Sequence, residues 1–306
     1  MICAGVCFFW RIRLEGPARL AVLMSTRLPI IRYAAELRKT VHQWRKRGQR
    51  VALVPTMGSL HEGHLSLIRL AKKHANRVVV SVFVNPTQFA PHEDFDSYPR
   101  NEERDWRKLI TVNADVMYAP EVEEIYPHDF ATRVEVAGLT QTLEGISRPH
   151  FFAGVTTVVA KLFLQCLPDA AVFGEKDYQQ LLVIKRMVRD LAFPIAILPG
   201  PVVRERDGLA MSSRNAYLGA RERAIAPQLH AILSDAAADL ASGRPVRETL
   251  TQGKLRLENA GFRVDYLELR DAETLLPLEN LGHERARLLA AVYLGSVRLI
   301  DNIEAA

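Results

Sequence analysis

Short, predominantly apolar runs alternate along this chain with stretches whose apolar positions recur every three or four residues. The runs are Val51–Val54, Val78–Val84, Asp115–Tyr118, Ala170–Phe173 and Ile195–Leu198. Continuous rather than alternating apolar character marks strands covered on both faces. Between them the helical period predicts helices over Ala34–Arg47, stopped at Gly48, from His61 onward, over roughly 101–112, over Gly154–Cys166 and over Asp177–Leu191. Pro55 is expected to end the first run, because proline cannot donate to a ladder. Thr132–Val136 alternates and reads as an edge strand. Strand–helix alternation with such strands predicts an α/β fold built on a doubly wound parallel sheet.

The pattern changes beyond about Gly200. Residues 221–242 and 246–260 read as helices, and 263–270 and 287–294 as strands, with Gly295 turning the chain into VRLID. A smaller C-terminal α+β domain follows from this. We expect residues 24–202 to form the sheet domain and 203–306 a second domain that acts as a lid.

Composition narrows this picture little. The 306 residues are 48% hydrophobic and 25% charged, as in an ordinary globular chain. A net charge of +5 suits anionic small molecules as well as nucleic acid, but no basic block favours the latter. Cys3, Cys7 and Cys166 make a poor disulfide framework and point to a reducing, cytoplasmic setting. Every apolar run falls far short of the roughly 18 residues a membrane span needs. Residues 1–23 are apolar but broken by Arg11, Arg13, Glu15 and Arg19, unlike a secretory signal. Met24 is the expected translation start, and residues 1–23 are expected to be an extension that is either not translated or disordered.

In doubly wound sheets, ligands bind outside the carboxyl ends of the strands. Four polar segments follow four of the predicted strands: TMGSLHEGH, NPTQF, GEKD and RERDGLAMSSRN. His61 and His64 lie on one face of the first turn of a helix, beside unpaired N–H groups and the positive end of its dipole, a place for phosphate. Gly58 permits the turn before them, and Gly63 lets a ligand approach the backbone. A bare H-x-x-H more often just decorates a helix start, and its spacing is not that of a zinc-protease helix. Lys176 can neutralise phosphate but reads equally as a solvated surface lysine, and the plain reading of Asp177 is an N-cap of the following helix. Ser212, Ser213 and Arg214 gather donors suited to a polyphosphate, or form an ordinary turn. Gln88 and Gln180 are uncharged amides able both to donate and to accept. No Walker A, GxGxxG or GxSxG pattern is present.

In this order and spacing, PTMGSLHEGHLSLI, SVFVNPTQF, FGEKDYQQL and DGLAMSSRN resemble the pantoate–β-alanine ligases. The resemblance covers about residues 28–303. HEGH is similar to the HIGH-type motif, and MSSRN to the KMSKS-type loop, of the nucleotidyl-transferase and class I aminoacyl-tRNA synthetase superfamily. The resemblance implies a Rossmann-like sheet and a two-step reaction in which pantoate is adenylated by ATP and then captured by β-alanine. It implies Mg²⁺, a homodimer, and neither nucleic acid nor membrane as partner.

It further implies roles for particular residues. His61, His64, Lys176 and Arg214 would be catalytic, with His64 the proton donor. ATP would be held by Met57, Gly58, Ser59, Leu60, His61, Glu62, Gly63 and His64, by Gly174, Glu175, Lys176 and Asp177, and by Val203, Met211, Ser212, Ser213 and Arg214. Gln88 and Gln180 would bind pantoate, and Gln88 also β-alanine. No metal ligand is assigned. One departure stands out: RPHFFAGV at 148–155 puts His150 one place early and Phe151 where the family has histidine. Two other readings are a nucleotidyltransferase that stops at the adenylylated product and a non-catalytic nucleotide-binding module.

Overall fold

The computed structural model describes residues 28–90, 95–96, 98–282 and 285–305. Residues 1–23, expected to be an extension, lie outside them, as does Met24. The first layer is a six-stranded sheet with every pairing parallel, in the order β1-β4-β3-β2-β5-β6. The strands are β1 (Ile30–Ile31), β2 (Val51–Thr56), β3 (Arg77–Val82), β4 (Val116–Tyr118), β5 (Ala170–Gly174) and β6 (Ala196–Gly200). The helices of this part are α1 (Ala34–Lys46), α2 (Glu62–His74), α3 (Glu102–Thr111), the one-turn α4 (Val122–Ile125) and α5 (Glu144–Ser147), α6 (Phe151–Cys166) and α7 (Tyr178–Asp190).

The sheet is apolar on both faces because each face has its own helices. Along β2, Val51 and Leu53 join the core built by α1, α6 and α7, while Ala52 and Val54 join the one built by α2 and α3. That is why the strands read as unbroken apolar runs. From β2 the chain winds outward through β3 and β4, then returns to lay β5 on the other side of β2. The strand order therefore reverses between β2 and β5, where a crevice opens at the carboxyl ends.

Pro55 does not end β2; the strand runs on to Thr56. Val51 O accepts from Asp169 N on the β5 side, and Thr56 O from Phe83 N on the β3 side (2.8 and 3.1 Å). By alternation Pro55 turns its missing N–H toward β5, beyond Leu53, the last residue paired there. The proline thus costs the ladder nothing and sits where the crevice begins.

Thr132–Val136 is not a strand. Its backbone is satisfied by hydroxyls of α6 instead: Val134 N donates to Thr157 Oγ1 (3.0 Å), and Thr156 Oγ1 donates to Val134 O (2.6 Å). The helix predicted over 221–242 is broken at Pro227 into α8 (Ala220–Ile225) and α9 (Gln228–Ala241). With α10 (Val246–Asn259), these cover an antiparallel sheet of β7 (Arg263–Asp271), β8 (Ala286–Leu294) and β9 (Val297–Glu304), around a second core. Leu143, Tyr178, Leu182, Leu275 and Leu289 pack between the two parts.

Candidate active site

A cleft of about 870 Å³ opens at the carboxyl ends of β2 and β5, with the antiparallel sheet as its far wall. Its first wall is the segment between β2 and α2. Gly58 (φ +79°) and Ser59 (φ +49°) both adopt left-handed backbone there, unusual for serine. The turn is held from beneath by α3. Asp105, 2% exposed, accepts from Ser59 N and Leu60 N (both 2.8 Å). Three residues on, Lys108 donates to Leu60 O. Burial raises the Asp105 carboxyl above its ordinary range and lowers the Lys108 ammonium.

This turn delivers the two histidines. Their rings lie 4.0 Å apart at 33°, and His61 N donates to His64 Nδ1 (3.3 Å). With Nδ1 accepting, the proton of a neutral His64 sits on Nε2. Burial, then Lys176 and Lys108, push His61 down to about 4. Burial, then His61 and the same two lysines, hold His64 well below its ordinary value. Both imidazoles are therefore neutral near pH 7. The charges that keep them so are cations, and an anion in the cleft would be drawn to those cations. Gly63 lines the cleft and also makes room for the His61 imidazole, since a Cβ there would lie 2.9 Å from that ring.

The second wall follows β3. Asn85, 1% exposed, fixes a short 3₁₀ turn, Pro86–Gln88: its Oδ1 accepts from Thr87 N (3.3 Å), and its Nδ2 donates to Gln88 Oε1 and Gly154 O (both 3.1 Å). With Oε1 engaged, Gln88 presents its amide NH₂ to an oxygen-bearing ligand. Gly154 on α6 is needed for this fit, since a Cβ there would stand 2.4 Å from Thr87 O. Gly154→Ala is expected to destabilise the fold by about 1–3 kcal/mol and to displace the Gln88 turn. Urea titration checks this, and an unchanged midpoint would contradict it. Phe151 lines the same wall with the Arg148 guanidinium 4.0 Å over its ring, and Arg148 donates to Gln88 O (2.9 Å).

After β5 comes the turn of Lys176 and Asp177, with Gln180 in the first turn of α7; all three line the cleft. After β6 the chain forms a hairpin in which Met211 N donates to Val203 O (2.9 Å). Ser213 Oγ reaches back to Ser59 O (3.3 Å), so this loop lies across the histidine turn. On the far wall Arg298 donates twice to Glu144 (2.6 and 2.8 Å) and twice to Asp265 (3.1 and 2.6 Å). Tyr266 OH also donates to Glu144 (2.8 Å).

Of the residues expected at the site, Met57, His61, Gly63, His64, Gln88, Gly174, Lys176, Asp177, Gln180, Val203, Met211, Ser212, Ser213 and Arg214 line this one cleft. Gly58, Ser59, Leu60, Glu62 and Glu175 do not line it. Gly58 and Ser59 face Asp105, Leu60 is core, Glu62 pairs outward with Arg69, and Glu175 gives its carbonyl to Asn302. Asn85, Lys108 and Asn302 were missed as site-shaping residues. Asn85 carried the one available signal, an Asn-Pro at a strand end.

A doubly wound parallel sheet with a cationic, histidine-lined cleft at its switch point defines a nucleotide-using α/β enzyme. The family model for pantoate-beta-alanine ligase matches residues 29–304. Pantothenate synthetase of Caulobacter vibrioides is 54% identical over 277 residues, covering 90% of this chain and 97% of that protein. The one from Rhodospirillum rubrum is 55% identical, covering 90% and 98%. The crystal structure of pantothenate synthetase from Thermus thermophilus superimposes with a TM-score of 0.86 at 48% identity, covering 91% of this chain and 99% of that one. A ligase structure from Francisella tularensis, complexed with beta-gamma ATP and beta-alanine, matches with a TM-score of 0.76 at 34% identity, covering 91% and 98%. The chain belongs to the pantoate–β-alanine ligase family, and its reaction is the ATP-dependent condensation of pantoate with β-alanine.

Proposed function

We propose that this cleft carries both halves of the reaction through a pantoyl adenylate. A pantoate carboxylate oxygen attacks the α-phosphorus of ATP, the bond to the β-phosphate oxygen breaks, and pyrophosphate leaves. The free amine of β-alanine then attacks the acyl carbon, the C–O bond to AMP breaks, and the nitrogen loses a proton. The observation that carries this reading is convergence: the histidine turn, the Gln88 turn, Lys176 and the Ser212–Arg214 loop line one cleft at the switch point. Negative charge grows around the α-phosphate during attack, and pre-aimed donors lower that barrier because they need not reorganise.

In this reading His64 donates from Nε2 to the reacting phosphate, with His61 beside it. Lys176 and Ser212–Arg214 hold the β- and γ-phosphates and the departing pyrophosphate. Met57, Gly63, Gly174, Asp177, Val203 and Met211 line the nucleotide's path. Gln88 and Gln180 bind the pantoate oxygens, and Gln88 also lies near β-alanine. ATP enters as its Mg²⁺ complex. Among the described residues no group of three or more His, Cys, Asp or Glu side chains is placed to hold a metal ion. Phosphate oxygens and water would supply most of the shell of an ion that arrives with ATP.

The same proposal treats residues 24–202 as the nucleotide- and pantoate-binding domain and 203–306 as a lid. A lid has a clear use, because the mixed anhydride must be kept from water. A homodimer in the cytoplasm completes it. Among the described residues, no helix is long and apolar enough to cross a membrane.

Gln88→Ala tests the arrangement. The expected result is a rise of about 10-fold or more in the pantoate KM, as when one hydrogen bond to a charged group is lost, with the ATP KM changed less. AMP release should still require both acids, and pyrophosphate release should still require pantoate. A variant in which only the ATP dependence moved would contradict the assignment.

A further inference from the structure

The two segments that the proposed function assigns to the phosphates, the Lys176 turn and the hairpin carrying Ser212–Arg214, belong to different parts of the chain. Neighbouring residues of one strand hold both. On β9, Asn302 is 4% exposed, and its Nδ2 donates to two successive carbonyls, Glu175 O and Lys176 O (3.0 and 2.9 Å). Its Oδ1 accepts from Arg287 Nη1 (2.6 Å). An arginine can only donate, so the amide orientation is determined: the oxygen must face Arg287, and the NH₂ must face the carbonyls. Arg287 is itself buried, with its guanidinium 3.9 Å over the ring of Tyr178, the first residue of α7.

One residue earlier, Asp301 is 3% exposed. It accepts from Arg204 Nη1 and Nη2 (2.6 and 2.9 Å) in a two-pronged pair, and from Asn302 N (2.8 Å). Arg204 stands at the base of the hairpin, opposite Ala210, and also donates to Gly208 O across it (3.2 Å). The side chains of Asp301 and Asn302 are thus both engaged by backbone and base contacts of the loops.

We propose that Asp301 and Asn302 are positioning residues that set the separation between Lys176 and the Ser212–Arg214 loop, so that both reach one polyphosphate. This rests on the reading of those two segments as phosphate-holding. Asn302 is the cleaner handle: it lines the cleft, as Asp301 does, but its own amide is spent on Arg287 and on the two carbonyls of the Lys176 turn. Displacing a positioned group by about an ångström can lower a rate by two orders of magnitude.

The test measures the two half-reactions separately in the full chain: pyrophosphate release from ATP and pantoate in a single turnover, and transfer from chemically prepared pantoyl adenylate to β-alanine. Asn302→Asp points a carboxylate at two carbonyls. It should slow pyrophosphate release about 10–100-fold while changing the transfer rate by less than about 3-fold. In a Lys176→Ala background the same substitution should add less than about 3-fold, because residues that act through one group are non-additive. Asn302→Ala, which removes the donors without adding charge, serves for the same comparison where the aspartate variant melts early. An unchanged pyrophosphate rate overturns the proposal. So does an equal fall in both half-reactions, or a full effect that persists without Lys176. If Lys176→Ala itself leaves pyrophosphate release unchanged, the phosphate reading has failed, and the proposal falls with it.

Discussion

Replacing His64 with alanine should lower the single-turnover rate of pyrophosphate release by about 10³-fold, the upper part of the range for losing one pre-aimed donor to developing charge. The chain should still fold, since the rest of the turn is held by Asp105 and Lys108 rather than by His64. The imidazole's value lies in its fixed direction. His61 N occupies Nδ1 at 3.3 Å, which leaves Nε2–H as the donor. Burial and nearby cations keep His64 well below its ordinary pKa, so it works as a neutral donor rather than an imidazolium. The adenylation rate should therefore lack an acidic limb centred on 6.5. Below 6.5, His61, pushed to about 4, and His64 take up protons in the unfolded chain before they do in the fold. Stability is thus present above 6.5 and is lost as pH falls through that value toward 4. A His64→Ala enzyme with an unchanged single-turnover rate would refute the role.

Lys176→Ala should have the second largest effect, a loss of about 10²–10³-fold in adenylation together with a raised ATP KM. Lys176 is partly buried in the cleft, and its nearest carboxylate, Asp177 Oδ1, stands 3.9 Å away. Its charge also helps to hold both histidines neutral. Removing it should raise the His61 pKa as well as weaken phosphate binding. Histidine titration by NMR checks the first effect, and rapid-quench kinetics checks the second. A lysine that only decorates the surface would move neither.

How much of this was legible in the sequence depends on distance along the chain. Val51–Val54 reads as a strand because both faces are covered, and the helices on each face leave their own 3.6-residue period. The segments at strand ends converge because a parallel sheet sends all its carboxyl ends to one side. Ile30–Ile31, two residues long, is too short to carry a period, and it becomes a strand only by pairing with Met117 and Tyr118. Thr132–Val136 alternates like a strand, yet Thr156 and Thr157 supply its partners from a helix. Pro55 reads as a stop, and only the one-sided pairing of β2 makes it harmless.

The site divides in the same way. Histidines at a helix start, a lysine after a strand and a serine–arginine loop announce phosphate chemistry through residue type. The residues that hold those segments announce nothing. Asp105 lies 45 residues from the Leu60 N–H it accepts from, and Asn302 lies 126 from the Lys176 carbonyl. Each is an ordinary polar residue until the fold buries it against a particular backbone group, where losing it would leave that group unpaired.

The most direct test of the central claim follows one oxygen atom. Pantoate labelled with ¹⁸O in its carboxylate is turned over with ATP and β-alanine, and the products are separated by mass. Attack of the carboxylate on the α-phosphorus, in the cleft of His64, Lys176 and Ser212–Arg214, must leave one ¹⁸O in AMP and none in pyrophosphate. Unlabelled AMP, or label in inorganic phosphate with ADP as the nucleotide product, would contradict an adenylate intermediate at this site.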